Sequence, residues 1–132
     1  MLAKITVADY MTKHLVTLTK ETNIFDAIKK LLAHRITSAP VLDQHGHLIG
    51  MFSENDVMRV VAENVYDQGM GGKVGEYMTK DVIRVESDAF IVDVAEKFQQ
   101  SKDRSFPVFE DTDLVGIVSR TDVLRALASL ES

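Results

Sequence analysis

The chain contains no cysteine and no tryptophan, and only two prolines among its 132 residues. Without thiols, disulfides, zinc–thiolate sites and cysteine nucleophiles are excluded. The net charge of −5 predicts no general attraction to nucleic acid or to an anionic membrane. No window approaches the roughly 18 apolar residues of a membrane span, and the N-terminus does not resemble a signal peptide. We therefore expect a cytoplasmic protein without a membrane partner.

The remaining composition is that of a globular protein. Hydrophobic residues make up 45% of the chain and charged residues 27%, which excludes a disordered polymer. A chain of this length forms one compact domain or two small units that share a core.

Three segments of the sequence occur twice in the same order. DYMTK at residues 9–13 returns as EYMTK at 76–80, and SAPV at 38–41 returns as SFPV at 105–108, both 67 residues later. The segment 50–56 returns at 116–122, which is 66 residues later, so one residue is lost in an intervening turn. We predict a first repeat over residues 1–66, a glycine-rich linker at 67–72 and a second repeat over 73–132.

Each copy is predicted to run helix–strand–helix–strand–strand–helix. In the first copy the predicted helices are 6–11, 22–34 and one that begins at Ser53, and the predicted strands are 15–18, 40–42 and 48–52. The apolar face of helix 22–34 comprises Ile24, Ala27, Ile28, Leu31 and Leu32. The helix from Ser53 is predicted to direct Val57, Met58, Val60 and Val61 inward. In the second, strand 82–85 precedes a helix capped by Asp88 (apolar face Phe90, Ile91, Val94, Ala95 and Phe98), followed by strands 106–109 and 114–118 and helix 121–130. These elements predict an α/β (α+β) fold of two β-α-β-β-α repeats packed about a pseudo-twofold axis.

The twice-occurring segment Gly-x-x-Ser-x-x-Asp stands where an apolar strand ends and a helix begins. Unpaired backbone N–H groups and the helix dipole favour an anion there, and a carboxylate accepts hydrogen bonds from sugar hydroxyls. These features suit a ribose phosphate. The simpler interpretation is that Ser53 and Ser119 are N-caps, and that Asp56 and Asp122 are first-turn helix charges.

Taken together, the repeated YMT, SxPV and Gly-x-x-Ser-x-x-Asp segments resemble a tandem pair of cystathionine-β-synthase (CBS) domains, a Bateman module. The resemblance covers nearly the whole chain. It implies clefts between the two repeats that bind AMP, ADP or ATP, a disc-shaped homodimer, and regulation of an effector protein. No cofactor is implied beyond the regulatory adenine nucleotide.

By that resemblance, two ligand-binding sets are expected, and we predict the first to be the stronger. It has the full motif and comprises Lys13, His14, Leu15, Ile36, Thr37, Ser38, Ala39, Pro40, Arg104, Ser119, Arg120, Thr121 and Asp122. The weaker set has Asn55 in place of a hydroxyl residue and a carboxylate at Asp81, which repels phosphate or accepts from the adenine amino group. It comprises Ser53, Asn55, Asp56, Lys80, Asp81, Val82, Ser105, Phe106 and Pro107.

Other chemistry has weaker support in the sequence. His45-Gly46-His47 has the spacing of a metal-ligand pair but falls in a predicted exposed turn, so we predict no metal site. No Walker loop, nucleophile elbow or HExxH segment occurs, so we predict no enzyme activity, and a hydrolase that uses His45 and His47 is a distant alternative.

The predicted function is a stand-alone regulatory module that binds adenine nucleotide and signals to a partner protein. Two alternatives stay open: a structural dimerisation module with no ligand, and a sensor of another adenosyl compound such as S-adenosylmethionine, NAD or a coenzyme A derivative.

Overall fold

The computed structural model describes residues 2–64 and 71–131, so positions 67–70 of the predicted linker lie outside the described residues. This part of the chain has six α-helices and five strands in two sheets, and it confirms the predicted mixed α and β fold class. In chain order the elements are α1 Val7–Tyr10, α2 Ile24–His34, β1 Ser38–Leu42, β2 Leu48–Ser53, α3 Glu54–Glu63, α4 Val74–Tyr77, β3 Val85–Glu86, α5 Ile91–Gln100, β4 Ser105–Glu110, β5 Asp113–Ser119 and α6 Arg120–Ala128.

Contacts divide the chain into two compact units. Met1–Leu15 and Ile83–Ser132 form the terminal unit, and Val16–Val82 form the central unit. Each unit therefore combines one β-hairpin with the short helix that begins the other copy of the repeat. The units of the structure therefore differ from the repeats of the sequence, because the first segment of each repeat packs with the hairpin of the other repeat.

In the central unit, β1 and β2 form an antiparallel hairpin in which Val41 stands opposite Gly50. The strand predicted at residues 15–18 is wrong. Only Leu18 of that segment pairs with the described hairpin, through one parallel bridge to Val41, in which its N–H donates to Pro40 O at 2.9 Å. A strand needs consecutive pairs along a ladder, and here the ladder has one.

The core of the central unit is built from the apolar faces of α2 and α3. Ile24, Ala27 and Leu31 of α2 are buried, as predicted, and so is Val60 of α3. The inward orientation predicted for Leu32, Met58 and Val61 is wrong, since all three side chains are exposed. Each follows a core residue by one position, and the 100° turn per residue carries it off the buried stripe.

In the terminal unit the sheet order is β3-β4-β5, with β3 parallel and β5 antiparallel to β4. The strand predicted at 82–85 is real but lies later, at Val85–Glu86. The rings of Phe98 and Phe106 stack in the core with their centroids 4.1 Å apart. The buried cluster also contains Val7, Ile91, Val94, Val108, Val118 and Ala126.

The cap predicted for α5 is wrong. The helix begins at Ile91 after Phe90, which makes no side-chain capping bond, so Asp88 is not the N-cap. The Ile91 N–H donates to the carbonyl of Ile5 at 2.8 Å, so another segment of the terminal unit satisfies one of the unpaired N–H groups at the start of this helix. Phe90, predicted on the apolar face, is 45% exposed.

Across the described ranges, each helix is too short or too polar to cross a lipid bilayer.

Candidate functional site

The first motif forms a capping box at the start of α3. The backbone N–H of Ser53 donates to Asp56 Oδ2 at 2.9 Å, and the Ser53 hydroxyl donates to the same oxygen at 3.2 Å. The Asp56 N–H in turn donates to Ser53 Oγ at 3.4 Å. Only 4% of Asp56 is exposed, so these bonds compensate the cost of burying its charge.

The second motif repeats this geometry at the start of α6. The Ser119 N–H donates to Asp122 Oδ2 at 2.8 Å, the Asp122 N–H donates to Ser119 Oγ at 3.2 Å, and Asp122 is 1% exposed. The interpretation of the two serines as N-caps is therefore confirmed. Both motifs place a buried carboxylate at a strand-to-helix junction, beside a half-buried hydroxyl.

The two carboxylates differ at their second oxygen. Oδ1 of Asp56 accepts from Thr79 Oγ1 at 3.0 Å and from Arg59 Nη2 at 3.5 Å. Oδ1 of Asp122 accepts from Arg125 Nη2. A ligand hydroxyl that approaches either carboxylate therefore meets an oxygen already bonded to an arginine.

Sequence analysis missed these supporting residues, although the sequence contains a signal for them. Both copies read Asp-x-x-Arg, a spacing that places the two side chains on one helix face. Thr79 lies in the repeated YMT segment, far from the motif along the chain.

The glycine that begins each motif is explained by a close backbone approach. Thr79 pairs with Met51 by hydrogen bonds of 2.8 and 2.9 Å, and a Cβ on Gly50 would lie 2.8 Å from Thr79 O. Thr12 and Ile117 form the same pairing in the terminal unit, and a Cβ on Gly116 would lie 2.9 Å from Thr12 O. A side chain at these positions would push away the segment that leads to Lys13 or Lys80.

Arg120 is engaged in structural contacts. Its Nη2 donates to Phe98 O at 2.7 Å and Ser101 O at 3.1 Å, and its Nε donates to Asp103 O at 3.1 Å. The guanidinium thus binds carbonyls at the C-terminal end of α5, where a cation also interacts favourably with the helix dipole.

The predicted stronger ligand set is distributed over both units. The terminal unit contains residues 13–15, Arg104 and residues 119–122, whereas residues 36–40 belong to the central unit. Lys13, His14, Arg104 and Thr121 are exposed, and Ser38, Ala39 and Pro40 are buried.

The predicted weaker set is also divided. Ser53, Asn55, Asp56 and residues 80–82 lie in the central unit, and residues 105–107 lie in the terminal unit. Lys80, Asp81 and Asn55 are exposed, whereas Ser105, Phe106 and Pro107 are buried. Within the central unit, the Thr79 contact brings the chain that continues to Lys80 beside the first motif.

The histidine turn is organised by Asp43. Its Oδ1 accepts from the N–H groups of His45 and His47 at 2.9 Å each. The His47 N–H bond is the main reason that the pKa of Asp43 lies below its ordinary value. Within residues 2–64 and 71–131, no three histidine, aspartate or glutamate side chains converge as metal ligands.

Residues 7–63 and 74–129 match the family model of the CBS domain. The chain belongs to the CBS-domain family. The two matches are the two sequence repeats, each with one capping-box motif, so the predicted tandem CBS pair is confirmed.

Solved CBS structures share this fold. The chain is 28% identical to CBSX2 of Arabidopsis thaliana in complex with AMP, with a TM-score of 0.82 and coverage of 97% of this chain and 99% of that one. It is 29% identical to the CBS domain pair of protein MJ0100, solved with 5′-methylthioadenosine and S-adenosyl-L-methionine, with a TM-score of 0.84 and coverage of 95% and 97%.

Curated relatives are longer than this chain. The protein MJ1225 of Methanocaldococcus jannaschii is 28% identical over 93% of the chain, but the match covers 43% of that relative. An L-aspartate semialdehyde sulfurtransferase of the same organism is 31% identical over 90% of the chain, and the match covers 22% of it. The chain thus spans less than half the length of these relatives.

Proposed function

We propose that this CBS pair is a regulatory module that binds an adenosyl ligand and transmits the binding to a partner protein. The observation that carries the proposal is the pair of buried carboxylates, Asp56 and Asp122, each beside a half-buried serine hydroxyl. A ribose offers hydroxyl donors, for which a carboxylate is a strong acceptor. The ligands named with CBSX2 and with the MJ0100 pair have the adenosine group in common.

Among adenosyl compounds we propose adenine nucleotides, with the Asp122 set as the tighter site. Thr121 offers a hydroxyl where the first motif has Asn55, and the first motif's predicted set also contains the carboxylate of Asp81. A carboxylate near a phosphate raises the free energy of the complex. The role is binding rather than catalysis, because both motif carboxylates already serve as helix caps.

The arginine contacts suggest how binding is transmitted. A ribose hydroxyl at Asp122 shares or displaces the bond from Arg125, and at Asp56 the bond from Arg59. A ligand shifts a conformational equilibrium only as far as its affinities for the two states differ. The rearranged arginine provides such a difference.

We also propose that the module forms a homodimer through exposed apolar residues on α3 and α6, the helices that follow the two motifs. Met58 and Val61 on α3 are 62% and 42% exposed, and Leu124 and Leu127 on α6 are 64% and 43% exposed. The two residues of each pair are three positions apart, so they lie on the same face of their helix. Light scattering of Leu124→Lys should show a loss of dimer, whereas Leu32→Lys on α2 should leave the dimer intact; an unchanged dimer in both contradicts this interface.

Isothermal titration with AMP, ATP, S-adenosylmethionine, NAD and coenzyme A tests the ligand proposal. Asp122→Asn should weaken AMP binding about tenfold, the loss of one charged hydrogen bond. Asp93→Asn makes the same change in the first turn of α5 and should bind as the unmodified chain does. Circular dichroism checks that each variant is folded.

AMP binding that survives both Asp122→Asn and Asp56→Asn contradicts the site. A dimer that binds none of the five compounds favours the structural dimerisation module. Binding of S-adenosylmethionine, NAD or coenzyme A alone favours the adenosyl alternative over a nucleotide sensor.

A further inference from the structure

A pocket of about 510 Å³ lies in the central unit, and its lining is rich in lysine. Ile49 and Met78 contribute apolar surface, and Lys20, Lys73 and Lys80 contribute ammonium groups, together with Glu21. Lys80 is the one residue that this pocket shares with the ligand sets predicted above. The pocket is therefore a candidate site distinct from the two motifs.

Backbone bonds hold the walls of the pocket together. The N–H of Gly75 donates to Lys20 O at 2.9 Å, and the N–H of Val74 donates to Thr22 O at 2.9 Å. A Cβ on Gly75 would lie 2.8 Å from Lys20 Cβ, so the two walls are in close contact at this point. The backbones of Lys20 and of the segment that follows Lys73 are thus held in place before any ligand arrives.

The charges of the pocket are not all compensated. Lys73 Nζ lies 3.1 Å from Glu21 Oε2, and Glu76 accepts from the Lys73 N–H at 3.3 Å. Among the residues that the structure describes, the ammonium groups of Lys20 and Lys80 have no ion pair or hydrogen bond. Three lysines against two glutamates give this pocket a charge of +1 in a chain of net charge −5.

The second repeat does not reproduce this set. At the offset of 67 residues, Lys20 and Lys73 correspond to Ser87 and Thr6, while Lys80 corresponds to Lys13. Glu21 and Glu76 correspond to Asp88 and Asp9, so the equivalent positions have a charge of −1. The excess of lysine is therefore particular to the central unit rather than a property of the fold.

We propose that this pocket binds an organic phosphomonoester independently of the adenosyl ligand. The two ammonium groups without an ion pair, Lys20 and Lys80, attract the dianionic phosphate, and the carbon body of the ester contacts Ile49 and Met78. Its volume is within the range of small-molecule sites. The module would then respond to a phosphorylated metabolite as well as to the adenosyl compound.

Phenyl phosphate is a suitable probe, followed by amide chemical shifts in nitrogen-15 spectra of the whole chain. We expect saturable shifts at Lys20, Lys73 and Gly75. Lys20→Gln should weaken the binding about tenfold, the loss of one charged hydrogen bond. Lys29→Gln removes the same charge from an exposed position of the same unit, outside the pocket lining, and should have no effect.

Three results would overturn the assignment: no saturable shift at the pocket amides, equal weakening by Lys20→Gln and Lys29→Gln, or inorganic phosphate binding as tightly as the ester. Competition between adenosine, which has no phosphate, and phenyl phosphate would overturn the independence of the two sites. AMP titrations report separately on the adenosyl proposal, through the amides of Asp56 and Asp122. One proposal can therefore be refuted while the other stands.

Discussion

Thr79 donates a hydrogen bond from Oγ1 to Oδ1 of Asp56 with 3.0 Å between the two oxygens, although the residues are 23 positions apart in the chain. The backbone pairing of Thr79 with Met51 brings the hydroxyl to the carboxylate. The first motif is thus completed by a residue from the beginning of the second repeat. The capping box and the joining of the two sequence repeats within one folded unit are parts of the same arrangement.

The first prediction concerns this bond. Thr79→Val should lower the free energy of unfolding by about 1–2 kcal/mol, because a buried carboxylate loses a donor without a change in side-chain size. Urea denaturation measures the loss. Thr12→Val makes the same change at the equivalent exposed position of the other repeat, and its effect should stay within about 0.5 kcal/mol. Equal losses in the two variants would contradict a specific role for the Asp56 contact.

The second prediction concerns Arg125, whose guanidinium contacts the buried Asp122. Under the proposed function, Arg125→Gln should tighten AMP binding by about threefold to tenfold, because the hydroxyl no longer competes with a charged donor for Oδ1. Titration calorimetry measures the affinity. Lys97→Gln on α5 removes the same charge away from the motif, so it controls for long-range electrostatics. Weaker AMP binding in Arg125→Gln would indicate that the arginine contacts the ligand rather than competing with it.

The third prediction concerns Arg120, which binds three carbonyls at the end of α5. Arg120→Gln should lower the free energy of unfolding by about 2–3 kcal/mol, because half-buried carbonyls lose their donors. Arg84→Gln is the matched control in the same unit. Arg84 lies 4.5 Å from the centroid of the Phe109 ring, and this cation–π contact is worth about 0.5–1 kcal/mol. Chemical denaturation measures the free energy of unfolding of both variants. A loss of stability in Arg120→Gln no larger than that in Arg84→Gln would refute the capping role.

The fourth prediction concerns the loss of folding stability at acid pH through Asp43. The His47 N–H bond lowers the pKa of Asp43 in the folded state, so its stabilisation is present above the unfolded pKa of about 3.9. It is lost as the pH falls through the lower folded pKa. Carbon-13 titration of the carboxyl group should give a midpoint below the ordinary value for aspartate.

The histidine side chain supplies the control for this titration. His47→Ala keeps the backbone N–H, so the pKa of Asp43 should stay low, and Asp43→Asn should remove this part of the acid dependence. A midpoint at or above the ordinary aspartate value in the unmodified chain would show that the turn does not form in solution.

Much of this architecture follows from local sequence. The Ser-x-x-Asp spacing predicts a capping box wherever a helix follows, because the side chain of the fourth residue reaches the first backbone N–H. The buried positions Ile24, Ala27 and Leu31 of α2 follow from the helical period. The family resemblance also rests on segments short enough to read directly.

Two of the wrong predictions have different physical causes, one long-range and one local. Asp88 is a good capping residue, but the carbonyl of Ile5 satisfies the first N–H of α5 instead. Met58 and Val61 are apolar yet exposed, because a helix buries a stripe rather than every apolar residue.

The sequence by itself determined the repeat, the family and the two capping boxes, because each is recognised from short segments of consecutive residues. Only the tertiary structure decided that Thr79 reaches Asp56, that Arg120 closes α5, and that three lysines from distant segments line one pocket. Those contacts depend on which segments pair across the fold, and spacing along the chain does not encode that pairing.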